Sequence, residues 1–289
     1  MPPSPAIVTD HFSALAPHYD AVLSDVWGVV HNGIVATPAA CEALVRFRAQ
    51  GKTVILITNA PRPGAVVTKF IDRVGVPREA YDGIVSSGDV TRAVMAARPG
   101  KRVFHLGPER DLPIFEGLGL SFVPMEQADY AVCTGLRDDE TETAESYRAE
   151  FGEMRKRGLF MVCGNPDVVV ERGDRLVYCA GSIADLYAGM GGKVLYAGKP
   201  YPPIYEMALE KAEAAVGHKV APARVLAIGD SVRTDFTGAR DFGVDFLFVT
   251  SGIHAEELGG REQPDGASLR AKFAASGGAP KAAMRHLVW

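Results

Sequence analysis

Residues 21–35 read AVLSDVWGVVHNGIV. Ala21 to Leu23 form an apolar run of strand character, Asp25 stands at its end, and Gly28 follows three residues later. Asn32-Gly33 then marks a turn. A carboxylate at the carboxyl end of a buried strand stands where open α/β sheets place their ligands. Taken alone, Asp25 reads at least as well as a turn residue or a helix cap. Three later stretches decide between these readings.

Upstream, residues 1–20 read as an arm with a short helix around His11–Ala16. Downstream, Thr37 suits an N-cap and Pro38 the first helical position, so a helix is expected through PAACEALVRFRAQ to Gly51. TVILIT (53–58) is apolar and rich in β-branched residues, a buried strand that ends in Thr58-Asn59. Pro63 opens a second helix, with Ala65, Val66, Phe70, Ile71 and Val74 at helical spacing and a stop at Gly75. This alternation predicts a parallel α/β sheet.

Ile84-Val85 makes a third strand, broken by Ser86-Ser87-Gly88-Asp89. The chain then starts again as a separable unit. Its expected elements are helix 89–97, strand 102–107, helix 109–117, and strands 121–124 and 130–134. A long polar helix over about 141–157 follows, with Tyr147, Phe151 and Met154 on one face. Strands 159–163 and 176–179 and helix 182–190, ending at Gly191-Gly192, complete the unit. The first unit is expected to resume with strand VLYAG (194–198), Lys199-Pro200 and helix 202–216. Strand RVLAIG (224–229) ends in Asp230, and a short helix and strand DFLFVT (245–250) follow. The tail from about 259, rich in Gly, Ala and charge, is expected to wrap the surface. The fold class is α/β: a doubly wound, Rossmann-like parallel-sheet core over 1–87 and 191–289, with an α/β domain inserted at 88–190.

Composition narrows the function classes. At 289 residues with 47% hydrophobic and 23% charged, the chain can bury a sizeable core. A net charge of −4 makes no electrostatic case for nucleic acid or an anionic membrane. Cys41, Cys133, Cys163 and Cys179 show no CxxC spacing, so free thiols in a reducing compartment are expected, with no disulfide frame or zinc site. MPPSPAIVTDHF lacks the basic start and apolar core of a signal peptide, and no apolar run reaches spanning length. A cytoplasmic location is expected.

Four strands of the outer unit end in polar groups: Asp25, Thr58-Asn59, Lys199, and Asp230 with Asp235. In a doubly wound sheet such ends share one edge. A carboxylate can attack phosphorus. Two carboxylates make a hard oxygen site suited to Mg²⁺. Thr58-Asn59 can hold phosphate oxygens, and Lys199 adds positive charge ahead of a helix N-terminus. Positioning and electrostatics are most of what phosphoryl transfer requires. Each piece also has a plainer use: Thr58-Asn59 as a helix cap, Lys199 as a loop lysine, GDSVRTD as a turn. Their joint order favours the chemical reading.

The chain resembles the haloacid dehalogenase (HAD) superfamily, class IIA, the branch of NagD-like phosphatases and pyridoxal phosphate phosphatase. LSDVWGVVHNG resembles its first motif, LITNAPRP the second, AGKPYPPIYEMAL the third and IGDSVRTDFTGAR the fourth. CGNPD (163–167) and AGSIADLYAGMGG (180–192) extend the likeness through the inserted domain, a cap of the C2 type. By position, the resemblance implies that Asp25 is the nucleophile and a metal ligand, the Trp27 carbonyl a second ligand and Asp230 a third, with Asp235 a ligand or its support. It implies that Thr58 and Asn59 bind phosphate, and that Lys199 binds phosphate and orients the nucleophile. Asn165, Asp167 and Gly181 would select the leaving group. Caps of this kind often carry homodimer contacts.

One departure stands out. Phosphatases of this superfamily carry a second Asp two residues after the nucleophile, as acid and base; here that place is Trp27. An indole N–H cannot act as a base, and losing a positioned acid/base costs ~10²–10⁴-fold in rate. His31 is the nearest substitute, though an ordinary loop histidine is its plainer reading. The expected function is Mg²⁺-dependent removal of phosphate from a small phosphorylated metabolite, a sugar phosphate or nucleotide-like ester, through an aspartyl phosphate on Asp25. The alternative is a catalytically impaired phosphate-ligand binder or regulator. Carbon–halogen cleavage needs no metal, so Asp230 and Asp235 argue against it. Dinucleotide binding is excluded because no GxGxxG follows an early strand.

Overall fold

AVLSD, TVILIT, VLAIG and DFLFV are buried along nearly their whole length, as strands covered on both faces must be. The structure is a computed structural model and describes residues 7–172, 175–258 and 266–289. In chain order its strands are β1 (Ile7–Val8), β2 (Ala21–Asp25), β3 (Thr53–Thr58), β4 (Gly83–Ser86), β5 (Arg102–Leu106), β6 (Ser121–Phe122), β7 (Tyr130–Cys133), β8 (Met161–Cys163), β9 (Val169–Arg172), β10 (Arg175–Tyr178), β11 (Val194–Tyr196), β12 (Val225–Gly229), β13 (Asp245–Val249) and β14 (Ala282–Met284). The chain divides into two compact units, one of Met1–Thr58, Thr68–Val85 and Tyr205–Trp289, the other of Asn59–Val67 and Ser86–Ile204.

The first unit is built on a seven-stranded sheet, β1-β14-β13-β12-β2-β3-β4. The ladders β1–β14, β14–β13, β13–β12, β12–β2 and β2–β3 are parallel. Strands β2, β3 and β4 step one way from the centre, and β12, β13 and β14 step the other. The order therefore reverses between β2 and β12, where doubly wound sheets open a crevice at their carboxyl ends. Ile228 faces Ser24 across this pair, so Asp25 and Asp230 both emerge beside the reversal. The helix from Pro38 to Arg48 starts and stops where Thr37-Pro38 and Gly51 predict, and it buries Ala40, Cys41, Ala43, Leu44 and Phe47.

The tail departs from expectation. Instead of only wrapping the surface, it forms a helix at Gly266–Ala275 and supplies β14, a strand inside the sheet between β13 and β1. Phe273 of that helix packs edge-on against Phe236 and Phe248, a local apolar anchor. Three small or flexible residues, Ala282, Ala283 and Met284, carry too little periodicity to announce a strand.

The second unit holds a five-stranded parallel sheet, β11-β8-β7-β5-β6, and the antiparallel pair β9–β10. Tyr147, Phe151 and Met154 share one buried cluster with Tyr187, as their spacing predicts. The polar helix itself is shorter, a 3₁₀ turn at Ala144–Tyr147 leading into an α-helix at Arg148–Lys156. Asp138 explains the late start: its carboxylate accepts from Glu140 N–H and Thr141 Oγ1, a local turn that competes with helix. The segment 109–117 is likewise a 3₁₀ helix, Glu109–Phe115, with Pro113 inside it. The strand expected to open the returning core is β11, and it pairs with β8 in this smaller sheet, Tyr196 against Cys163. Its composition marks a strand but not the sheet it joins. All four cysteines are buried, and among the described residues no helix is long and apolar enough to cross a membrane.

Candidate active site

Asp25 closes β2, Asp230 follows β12, and Asp235 lies in a widened helical turn, Val232–Phe236, capped by Ser231. One carboxylate oxygen from each lies within 4.8 Å of the other two, and all three residues are buried. Part of each arrangement is fixed by backbone donors: Ile253 N–H donates to Asp230 Oδ2 at 3.0 Å, and Ser231 N–H to Asp235 Oδ2 at 3.1 Å. Two glycines let the chain close in on Asp230. A Cβ at Gly28, where φ is +83°, would lie 2.1 Å from Asp230 Oδ2, and one at Gly252 only 1.9 Å away.

Oxygens on a divalent cation at about 2.1–2.5 Å lie about 3–5 Å apart, and Mg²⁺ and Ca²⁺ both prefer such hard donors. The donor set and the glycine-lined approach therefore fit a divalent cation. Gly252-Ile253, beyond the end of β13, is the part of this cradle that the motif reading missed. Its only sequence signal is Thr250-Ser251-Gly252, a polar break after a buried strand.

Trp27 lies over the turn that follows. Its ring packs edge-on against His31 with centroids 5.3 Å apart, and a Cβ at Gly33 would lie 2.5 Å from the indole. The residue remains 42% exposed. His31 is buried between Trp27 and Phe70, and its Nδ1 accepts the Gly33 N–H at 2.8 Å. Burial lowers its pKa to about 4. It holds the turn as a neutral ring, which disfavours it as the proton carrier that the sequence suggested.

In the second unit, Lys199 is 3% exposed, and the Lys199–Pro200 peptide is cis. Asn59 Oδ1 accepts the Lys199 N–H at 2.7 Å. Its Nδ2 donates to the Lys199 carbonyl at 3.0 Å and to Asp167 Oδ1 at 2.8 Å. Asn165 Oδ1 accepts from Asp167 N–H at 3.1 Å, and Gly181 N–H donates to the Asp167 carbonyl at 3.0 Å. Thus Asn59, Asn165, Asp167, Gly181 and Lys199 form one connected group, as Asp25, Asp230 and Asp235 do in the first unit. Thr58 is half-buried at the end of β3.

Comparison with known proteins identifies this framework. The family description "haloacid dehalogenase-like hydrolase" matches residues 22–121, and a second description, HAD-hydrolase-like, matches 196–270. A crystal structure of a haloacid dehalogenase-like hydrolase from Brucella suis 1330 superposes with a TM-score of 0.86 at 46% identity, covering 97% of this chain and all of that one. The chain belongs to the haloacid dehalogenase-like hydrolases. Within the HAD superfamily it falls in class IIA, with the NagD-like proteins. The ribonucleotide monophosphatase NagD of Escherichia coli K12 is 26% identical over 242 residues, 80% of this chain and 88% of NagD. The D-glycerol 3-phosphate phosphatase of Mycobacterium tuberculosis is 27% identical over 248 residues, 84% of this chain and 66% of its own length. The parallel sheets flanked by helices are the HAD α/β fold.

Proposed function

We propose that this HAD-like protein is a phosphoric monoester hydrolase that uses Mg²⁺ to release phosphate from a small phosphorylated metabolite, a sugar phosphate or nucleotide-like ester. The observation that carries this is the convergence of Asp25, Asp230 and Asp235 at the strand-order reversal. The named relatives, phosphatases of ribonucleotides and glycerol 3-phosphate, support the substrate class.

When bound, the cation neutralises phosphoryl charge and draws electron density from its oxygens. Asp25, Asp230, Asp235 and the Trp27 carbonyl would hold it. An Asp25 oxygen attacks phosphorus, and the bond from phosphorus to the ester oxygen breaks with its electron pair leaving on that oxygen. The aspartyl phosphate is then hydrolysed by water, returning the carboxylate and releasing inorganic phosphate. Thr58 and Lys199 orient and balance the phosphoryl group. By the family resemblance, Asn165, Asp167 and Gly181 would bear on the choice of leaving group.

Trp27 favours a second reading, a phosphate-ligand binder with impaired turnover. The indole cannot give the departing oxygen a proton and take one back from water. On the phosphatase reading, turnover is therefore fastest for leaving groups that depart as stable anions. The deciding experiment follows phosphate release over a metabolite panel with Mg²⁺, on wild type and Trp27→Asp in parallel. Release by wild type supports the phosphatase reading, whereas release by Trp27→Asp alone, or silence from both with retained phosphate binding, supports the second.

A further inference from the structure

The Asn59 side chain has no donor left for a ligand. An Asn amide carries two N–H donors, and those of Asn59 go to the Lys199 carbonyl and to Asp167 Oδ1. A phosphoryl oxygen is an acceptor, and an amide side chain can hold it only through an N–H. Meanwhile Oδ1 takes the Lys199 N–H. The amide thus engages both backbone groups of Lys199, as a neighbouring strand would.

The surrounding contacts hold the same short stretch. Ser87 Oγ donates to the Ala197 carbonyl, and Ala197 N–H donates to the Cys163 carbonyl at 2.9 Å. A Cβ at Gly198 would lie 2.5 Å from Asn59 Oδ1 and 2.8 Å from Ser87 Oγ, so only glycine admits both. Behind Asn59, the carboxylate of Asp167 makes a charge-assisted hydrogen bond. The backbone of Asp167 is itself fixed on both sides, through Asn165 and Gly181.

We infer that Asn59 is a positioning residue that sets the place of Lys199, with Asp167 as its anchor, and that its side chain is not a phosphate ligand. This rests on the proposed phosphatase reading, in which Lys199 supplies the fixed positive charge. It gives Asp167 a role in the reaction through Lys199, in place of direct choice of the leaving group. The loop 165–167 then controls where that charge stands.

A four-member cycle tests the inference: wild type, Asn59→Ala, Lys199→Met and the double variant. Calorimetric binding of inorganic phosphate with Mg²⁺ and turnover of p-nitrophenyl phosphate are the two readouts. Asn59→Ala is expected to lower affinity and kcat by about 10–100-fold in the wild-type background. In the Lys199→Met background the further loss in phosphate affinity should be under about twofold, because residues acting as a unit do not add. Equal penalties in both backgrounds would mean that Asn59 meets phosphate itself, and would overturn the inference. Asp167→Asn keeps an acceptor oxygen and should stay within about threefold of wild type, whereas Asp167→Ala should reproduce part of the Asn59→Ala loss. Unchanged affinity and turnover in Asp167→Ala would overturn the role of Asp167 as anchor. Phosphate binding without turnover in wild type would remove the phosphatase reading and leave the cycle readable by calorimetry. A wild type that binds no phosphate removes both.

Discussion

Replacing Asp235 with Asn should invert the stability order of two proteins according to whether Mg²⁺ is present. The oxygens of Asp25, Asp230 and Asp235 lie within 4.8 Å of one another. At an effective dielectric constant of about 20, each pair of charges at that separation repels by about 3 kcal/mol. The substitution removes two of the three pairs, while the new amide oxygen can still accept the Ser231 N–H. Backbone donors such as Ser231 N–H and Ile253 N–H offset part of the gross repulsion, and the expected net gain without metal is about 1–2 kcal/mol. In a chain of this size that raises Tm by a few degrees, about 2–4 °C per kcal/mol. Mg²⁺ at about 100 times its Kd should stabilise wild type by about 2.7 kcal/mol, and the variant, lacking one donor, by far less. The assay is thermal unfolding of both proteins in EDTA and in saturating Mg²⁺. Asp235→Asn should melt above wild type in EDTA and below it with Mg²⁺. Equal Mg²⁺ shifts, or a variant that melts lower in both buffers, would refute the idea that these oxygens form a cation site.

Four further expectations follow from the same geometry. Asp25→Asn should abolish phosphate release and leave no acid-stable, base-labile phosphoprotein, checked by trapping with labelled substrate. Trp27→Asp should raise kcat on alkyl phosphates by about 10²–10⁴-fold and barely change it on nitrophenyl phosphate, whose leaving group needs no proton; equal gains on both would argue against a missing acid. Gly252→Ala, which forces a Cβ to within 1.9 Å of Asp230 Oδ2, should weaken Mg²⁺ binding at least about tenfold by calorimetry while the fold persists by circular dichroism. His105 is held by burial, and then by the charge of Arg137, at a pKa of about 4, against about 6.5 when unfolded. It therefore stays neutral in the fold while the unfolded chain takes up a proton. Stability from this residue is full above about pH 6.5 and declines by up to about 3 kcal/mol towards pH 4. His105→Gln should flatten that acid limb in chemical denaturation curves.

The parts of this molecule legible in its sequence are those whose signal is local. AVLSD, TVILIT and VLAIG are long enough, and apolar enough, to read as central strands, and each ends abruptly in a polar group. Because a parallel sheet brings carboxyl ends to one edge, Asp25 and Asp230 can be paired across about 200 residues from the sequence alone. Asp235 came with them because it lies five residues on, within the same turn. Two of the expectations that failed rest on short strands. β11 has three residues and joins the sheet of β8, and β14 has three and enters the larger sheet. Three residues fix neither a period nor a partner, so pairing is decided by tertiary contacts.

Asn59 shows the same limit at the level of one side chain. Beside Thr58, at a strand end, an amide is chemically suited to an anion, and nothing within ten residues says otherwise. What redirects it is Lys199, 140 residues away, whose N–H and carbonyl it engages, and Asp167, 108 residues away, which takes its remaining hydrogen. Residue type told what the amide could donate; only the fold tells to whom. The same reasoning separates His31 from the chemistry. An imidazole six residues after the proposed nucleophile looks like a proton carrier until its Nδ1 is found accepting the Gly33 N–H inside a buried turn. At both positions the polar group serves to hold backbone in place, and that use is visible only when every donor and acceptor has been traced to its partner.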